Sequence, residues 1–125
     1  MKNKILISSD GITIEGTLYD SPGSTAVWNS LPLEGLVNLW GKEIYFATSL
    51  VLEEDPASQD VVDLGAIAYW PPGQALCLFF GQTPVSQGNE CRAASPVTII
   101  GHMDENFSSL NQISSGSAIT VVPQS

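Results

Sequence analysis

Few side chains in this 125-residue chain have the chemistry to act on another molecule, and each also has a plain structural use. Arg92 is the only arginine, with Glu90 two positions before it in a long polar loop. A lone guanidinium can grip a ligand carboxylate through two parallel hydrogen bonds, or simply close an ion pair. Glu43 follows Trp40-Gly41 at a turn, where a carboxylate can serve as a general base or accept hydrogen bonds from turn N–H groups. Tyr69, Trp70, Leu78 and Phe80 lie around the Pro71-Pro72 turn. Large apolar bodies with polar handles suit a ligand groove and suit a core equally well.

Other chemistries lack their parts. His102 is the sole histidine, and with Cys77 and Cys91 it makes no paired-ligand spacing for zinc. It serves either as a proton shuttle or as an ordinary strand-end histidine. Glu53, Glu54, Asp55, Asp60 and Asp63 form an oxygen-rich run, but the central glycine and terminal glutamate of a calcium loop are missing, which leaves a solvated surface loop. No Gly-x-Ser-x-Gly elbow is present, and Gly81 and Gly88 are too far apart, and without a lysine, to cradle phosphate. The expectation is therefore no metal and no cofactor.

Charge narrows the partners. Four Lys and Arg face 13 Asp and Glu, for a formal charge of -9. Nothing here builds the basic stripe that a nucleic-acid binder needs, and an anionic membrane surface is disfavoured for the same reason. The excess serves solubility or attracts a cationic partner. No apolar stretch approaches the ~20 residues that span a bilayer. Lys2 and Lys4 precede only Ile5-Leu6-Ile7, too short for the core of a signal peptide. Two cysteines make no disulfide framework, and Cys77 sits in an apolar run as a small buried hydrophobe. The chain reads as cytoplasmic. With 43% hydrophobic and 14% charged residues it folds, and its length suits one domain over residues 1–125.

The elements that must hold these residues are short strands. Residues 4–8 and 12–18 are β-prone, and Asp10-Gly11 between them suits a tight hairpin turn. Ser24 is expected to cap a short helix through Ala26, Val27 and Trp28, stopped by Pro32. Leu31, Leu33, Val37 and Leu39 give a half-buried extended pattern, residues 40–43 a turn, and residues 43–48 the next strand. Val51 and Leu52 can begin another. Residues 67–70 and 75–80 are strands joined by Pro71-Pro72-Gly73, where proline fixes φ and glycine supplies positive φ. Residues 82–94 read as a loop and 96–103 as a strand. Asp104 is expected to cap a short helix carrying Phe107 and Leu110, and residues 118–122 close the chain. About eight short strands favour a barrel or sandwich. In residues 75–80 Cys77 and Phe79 alternate with Leu76, Leu78 and Phe80, so both faces are apolar. Such a strand must be covered on both sides: it is central, or its outer face forms a pocket or an interface.

Three stretches together carry a resemblance: Val37-Asn38-Leu39-Trp40-Gly41-Lys42-Glu43-Ile44-Tyr45-Phe46, then the run from Ala68-Tyr69-Trp70-Pro71-Pro72-Gly73 through Leu78-Phe79-Phe80-Gly81-Gln82-Thr83-Pro84, then Val97-Thr98-Ile99-Ile100-Gly101. Their order and spacing resemble the small prokaryotic cyclophilin-like proteins, single domains largely of unknown function. The resemblance implies an all-β fold, a closed eight-stranded barrel with one or two short helices at its ends. True cyclophilins are prolyl isomerases, using an arginine on an earlier strand and a glutamine just ahead of a Phe-Phe pair. Here no Lys or Arg lies between Lys42 and Arg92, and Leu78 stands at the glutamine's position. Phe80 keeps the place of a slot residue, and only Arg92 can offer a guanidinium.

Three functions stay open on this reading. One is a barrel that binds a peptide or small ligand in an apolar groove, with Phe80, Tyr69, Trp70, Leu78, Arg92 and Glu43 as its candidate residues. Another is a weak prolyl isomerase with Arg92 as the catalytic candidate. The third is an assembly role, in which a second copy or another subunit covers Leu76 and Leu78.

Overall fold

Hairpins build most of this molecule, and the first shows why. The computed structural model describes residues 3–53, 55–104 and 107–124. Strands β1 (Asn3–Ser9) and β2 (Ile12–Leu18) pair antiparallel across Asp10 and Gly11. Both turn residues have positive φ, 51° and 77°, the backbone of a type I′ turn whose twist matches its strands. The Asp10 carboxylate accepts from the Ser114 N–H and the Ser117 hydroxyl, each at 2.9 Å, and ties the hairpin to the segment before the last strand.

Helix α1 (Pro22–Asn29) follows, with proline in its first turn. Its cap is Ser21, not Ser24: the Ser21 Oγ accepts from the Ser24 N–H at 3.2 Å. Ser24 is instead buried, donating its hydroxyl to the Ile100 carbonyl at 2.7 Å. Strands β3 (Leu33–Leu36), β4 (Asn38–Trp40), β5 (Glu43–Ala47), β6 (Gln59–Val62), β7 (Ala66–Trp70), β8 (Ala75–Phe79), β9 (Cys91–Met103) and β10 (Ala118–Pro123) complete the order. Val51 and Leu52 start no strand, and Val51 is exposed. The positive φ after Pro71-Pro72 falls on Gln74, not on Gly73. The last helical turn, Phe107–Gln112, is a 3-10 turn. The cap expected at its start borders residues 105–106, outside the described residues. The Asp104 carboxylate itself bonds Lys4 at 2.9 Å and Thr17 at 2.8 Å.

All pairings are antiparallel, and the sheet order is β3-β10-β1-β2-β9-β7-β8-β5-β4, with β6 on β9 off this path. Among the described residues there are ten strands where about eight were expected, and the ladder does not return on itself. Its two ends, β3 and β4, are consecutive stretches of one extended segment separated by Val37. The first stretch pairs with β10 and the second with β5. The all-β, barrel-like expectation holds, with that bent segment at the seam. Among the described residues no helix is long and apolar enough to cross a membrane.

Two hydrophobic cores lie on opposite faces of the β5-β8-β7 wall. Inside are Ile5, Ile7, Leu18, Ile44, Phe46, Ile67, Tyr69, Leu76, Leu78, Phe80, Ile100 and their neighbours. On the outer face Cys77 and Phe79 pack with Ala66, Ala68, Val62, Cys91, Ala93 and Val97. The outer core exists because β9 is long: residues 98–102 pair with β7, whereas residues 91–97 pair with β6. Both apolar faces of β8 are thus covered within the chain. Leu76 and Leu78, the face assigned to a partner subunit in the assembly reading, are buried in the main core.

Candidate functional site

The outer core is incomplete at one margin, and a carboxyl lies there. In β5 the period of two sends Ile44 and Phe46 into the main core, and Glu43 and Tyr45 to the outer face. Glu43 is the first residue of the strand because the chain reverses sharply before it: Trp40 pairs with Glu43 across Gly41-Lys42. Gly41 has φ 58°, and Lys42 is not at positive φ, the pattern of a type II′ hairpin turn. A Cβ on Gly41 would also stand 2.9 Å from the Gln82 carbonyl oxygen and 2.8 Å from Pro84 Cδ. The turn is held down by Lys42 N–H to Gln82 O at 2.8 Å and Phe80 N–H to Lys42 O at 3.0 Å.

Trp40, Glu43, Tyr45, Trp70, Ala93, Ala94 and Val97 enclose a cavity of about 200 Å³. The three aromatic residues are half-buried, so the cavity communicates with solvent between them. Trp70 is fixed by its indole N–H, which donates to Ser95 Oγ at 2.7 Å, and Tyr45 meets it edge-on, ring centroids 6.3 Å apart. The remaining wall is small: Ala93 and Ala94 leave the space that larger residues would fill.

Glu43 itself is only 5% exposed, and its Oε1 has no hydrogen-bond partner among the described residues. The turn carboxylate accepting from backbone N–H groups is therefore not what stands here. Burial raises its pKa to about 7, and the Cys77 thiol beneath it pulls slightly the other way. That thiol also has a long contact to the Ala75 carbonyl, 4.0 Å, and satisfies the carboxyl poorly. Burial and the Glu43 charge in turn push the thiols up, Cys77 well above its ordinary value and Cys91 to about 11. Both cysteines stay protonated and free. Among the described residues no cation offsets the carboxyl. Lys4 is with Asp104 and Thr17, Lys42 with Asn111, and Arg92 with Asp60 and Glu90.

The expected site residues separate. Glu43 and Trp70 come together in the cavity. Tyr69, Leu78 and Phe80 face the main core, with the Tyr69 hydroxyl donating to the Leu50 carbonyl at 2.6 Å. Arg92 lies on the outer strand, its Nη1 2.6 Å from Asp60 and its Nε and Nη2 2.6 and 3.2 Å from the two oxygens of Glu90. The side-chain hydrogen bonds between them, and then their opposed charges, lower the Glu90 pKa and raise that of Arg92, the mark of an ion pair already made. His102 is bracketed by Tyr19 at 3.2 Å and Asp104 at 3.4 Å. In the acidic run Asp55 caps the Ala57 N–H at 2.8 Å and Asp60 holds Arg92. Among the described residues no three His, Cys, Asp or Glu are grouped to hold a metal. Trp40, Tyr45, Ala93, Ala94 and Val97 were missed as lining. The available signal was alternation: Glu43 and Tyr45 share parity on a strand whose other parity, Ile44 and Phe46, is plainly core.

An antiparallel all-β domain of cyclophilin type, with a carboxyl-bearing aromatic pocket on the outside of its wall, is the class these features define. The chain belongs to the cyclophilin-like family, whose model matches residues 2–122. It is similar to the solution structure of the hypothetical protein AF2241 from Archaeoglobus fulgidus, at 36% identity and a TM-score of 0.83, over 98% of this chain and 95% of that one. It is also similar to McbB, solved in complex with tryptophan, at 17% identity and a TM-score of 0.71. That match covers 94% of this chain and 44% of McbB, and at such identity it shows the fold alone. No curated protein matches the chain.

Proposed function

We propose that this protein binds a compact small molecule in the outer pocket, with Glu43 as its polar anchor and Trp40, Tyr45 and Trp70 as its apolar walls. One observation carries the reading: Glu43, whose Oε1 is buried without a hydrogen-bond partner among the described residues, lines a cavity of about 200 Å³. An unmade hydrogen bond at a buried acceptor costs about 1–3 kcal/mol, and a ligand donor reaching Oε1 recovers it. The volume suits one ring with a short arm, since a cavity of ~150 Å³ suffices to hold benzene. A folded peptide does not fit. The pocket lies on strands rather than on a mobile loop, which favours a preformed site.

A second reading keeps the same pocket and adds proton transfer. A carboxyl with a pKa of about 7 is half-protonated at neutral pH, the condition in which it both gives and takes a proton. The prolyl isomerase alternative gains no support from the geometry. Phe80 is 7% exposed within the barrel core, and the Arg92 guanidinium is held between Asp60 and Glu90.

Two of the three tryptophans line the pocket, so intrinsic fluorescence reports on it directly. Screening one-ring fragments against the wild type and Trp70→Ala, with amide chemical-shift mapping of the hits, tests the proposal. Shifts centred on residues 40–45 and 93–97 and lost in Trp70→Ala support it. Hits that map only elsewhere, or no hit at millimolar concentration, refute it.

A further inference from the structure

We infer that the ligand of this pocket is a small organic cation, an ammonium group on a compact apolar body, held by the Glu43 carboxylate within the faces of Trp40, Tyr45 and Trp70. The inference rests on the reading of the pocket as a ligand site and specifies the charge of its occupant.

The argument is one of complementarity. The wall residues contribute one carboxyl, Glu43, the phenol of Tyr45, and no basic side chain. The groups that face Glu43 from the packed strands are Cys77 on β8 and Cys91 on β9, both held as neutral thiols by burial. An anionic ligand would meet a carboxyl and three aromatic side chains, with no positive group among the lining residues to receive it. A purely apolar ligand would leave the acceptor capacity of Oε1 unused. An ammonium ion answers both features, because its N–H donors reach the carboxylate and its charge is attracted to indole and phenol faces. Arrangement supports this: Trp70 and Tyr45 meet edge-to-face and Trp40 pairs directly with Glu43 across the turn, so rings and carboxyl surround one space.

The rest of the molecule acts in the same direction. With a formal charge of -9, the surface draws cations and repels anions over roughly a Debye length. The chain's own described lysines and arginine are engaged elsewhere, so no internal cation competes for Glu43. Binding also has a proton balance. Without ligand, burial keeps Glu43 partly protonated near neutrality; an ammonium in the pocket favours the carboxylate, so association releases a proton to solvent. Affinity for a cation that is itself charged throughout then falls as pH drops below about 7.

Two matched pairs of probes test this: benzylammonium against benzyl alcohol, and isobutylammonium against isobutanol. Each is titrated calorimetrically into wild type and Glu43→Gln between pH 5.5 and 8, with thermal melts checking that the variant is folded. The expected result is about tenfold tighter binding of the ammonium member of at least one pair at pH 8. That advantage should shrink toward pH 5.5, the apparent binding enthalpy should vary with the ionisation enthalpy of the buffer as proton release requires, and Glu43→Gln should abolish the preference for the ammonium over its alcohol. Equal binding of amine and alcohol, or a preference that survives Glu43→Gln, overturns the cation inference and leaves the pocket reading intact. If no probe of either pair binds the wild type at any pH, both fail. The pH series needs no variant, so it decides even where Glu43→Gln does not fold.

Discussion

The two faces of strand β8 face different interiors. Leu76, Leu78 and, just past its end, Phe80 enter a core of branched aliphatic and aromatic residues with no ionisable carboxyl in it. Cys77 and Phe79 enter a smaller one of alanine, valine and cysteine, with Glu43 and a cavity at its margin. The second is built from small residues, and a cavity opens at its edge. Stability comes chiefly from the inner face, and the outer face tolerates a buried polar group because the inner one holds the sheet in shape. The buried carboxyl and the core that supports its strand are thus on opposite faces of one sheet.

Truncation on each side separates these roles most sharply. Phe46 on β5 is fully buried in the main core, and Phe46→Ala is expected to cost about 3–5 kcal/mol, much of the stability of a domain this size. Val97 is also fully buried, but on the outer side and lining the cavity. Val97→Ala is expected to cost roughly 1–2 kcal/mol, and to widen the pocket. Denaturant unfolding of both variants measures the gap. Equal losses would mean that the outer core is as structural as the inner, and would break the comparison.

Glu43 gives the next largest effect and carries its own sign. A buried acid whose pKa rises on folding, here from 4.5 to about 7, keeps its proton in the native state while the unfolded chain has already lost it. Between those values unfolding releases a proton, so rising pH favours the unfolded chain. The stability lost as pH climbs from one value to the other is roughly 2–4 kcal/mol, because each pH unit crossed in that window costs about 1.4 kcal/mol. Glu43→Gln should flatten this slope. Asp10, Glu90 and Asp104 are shifted the opposite way and act below this window, so the difference between wild type and variant isolates Glu43. A variant with the wild-type slope would mean that the carboxyl is hydrated and not the desolvated anchor described above.

How much of this was legible in the sequence follows the range of the forces involved. Local turn chemistry was readable: Asp10-Gly11 and the turn at Gly41 stand where residue type alone puts them. The apolar alternation of β8 also stated that both faces are covered. It did not state by what, because the cover is the first half of β9, and a strand that leaves one neighbour for another is a long-range fact. That hid the pocket. Phe80, Tyr69 and Leu78 looked like groove residues because aromatic and aliphatic side chains carry no mark of which face is enclosed. Glu43 was visible as a carboxylate at a turn; its isolation depends on Cys77, Cys91 and Val97, between 34 and 54 positions away along the chain.

Arg92 sharpens the contrast from the other side. It is the most obvious functional candidate by residue type, yet its guanidinium is committed to Asp60 and Glu90, pinning β6 and the loop end to the start of β9. Ser86 belongs to the same clasp, its Oγ accepting from the Arg92 N–H at 3.1 Å and from the Thr83 N–H at 3.0 Å. Solvent and salt screen an ion pair this exposed, and the serine bonds do not need the guanidinium. Arg92→Ala should therefore give the smallest change of these substitutions, a slight fall in melting temperature that diminishes at high salt. Probe binding at the Glu43 pocket should be unaltered. If Arg92→Ala instead removed binding while the melting temperature held, the guanidinium would belong to the site. The separation between a structural clasp and the proposed ligand anchor on the outer face would then be withdrawn.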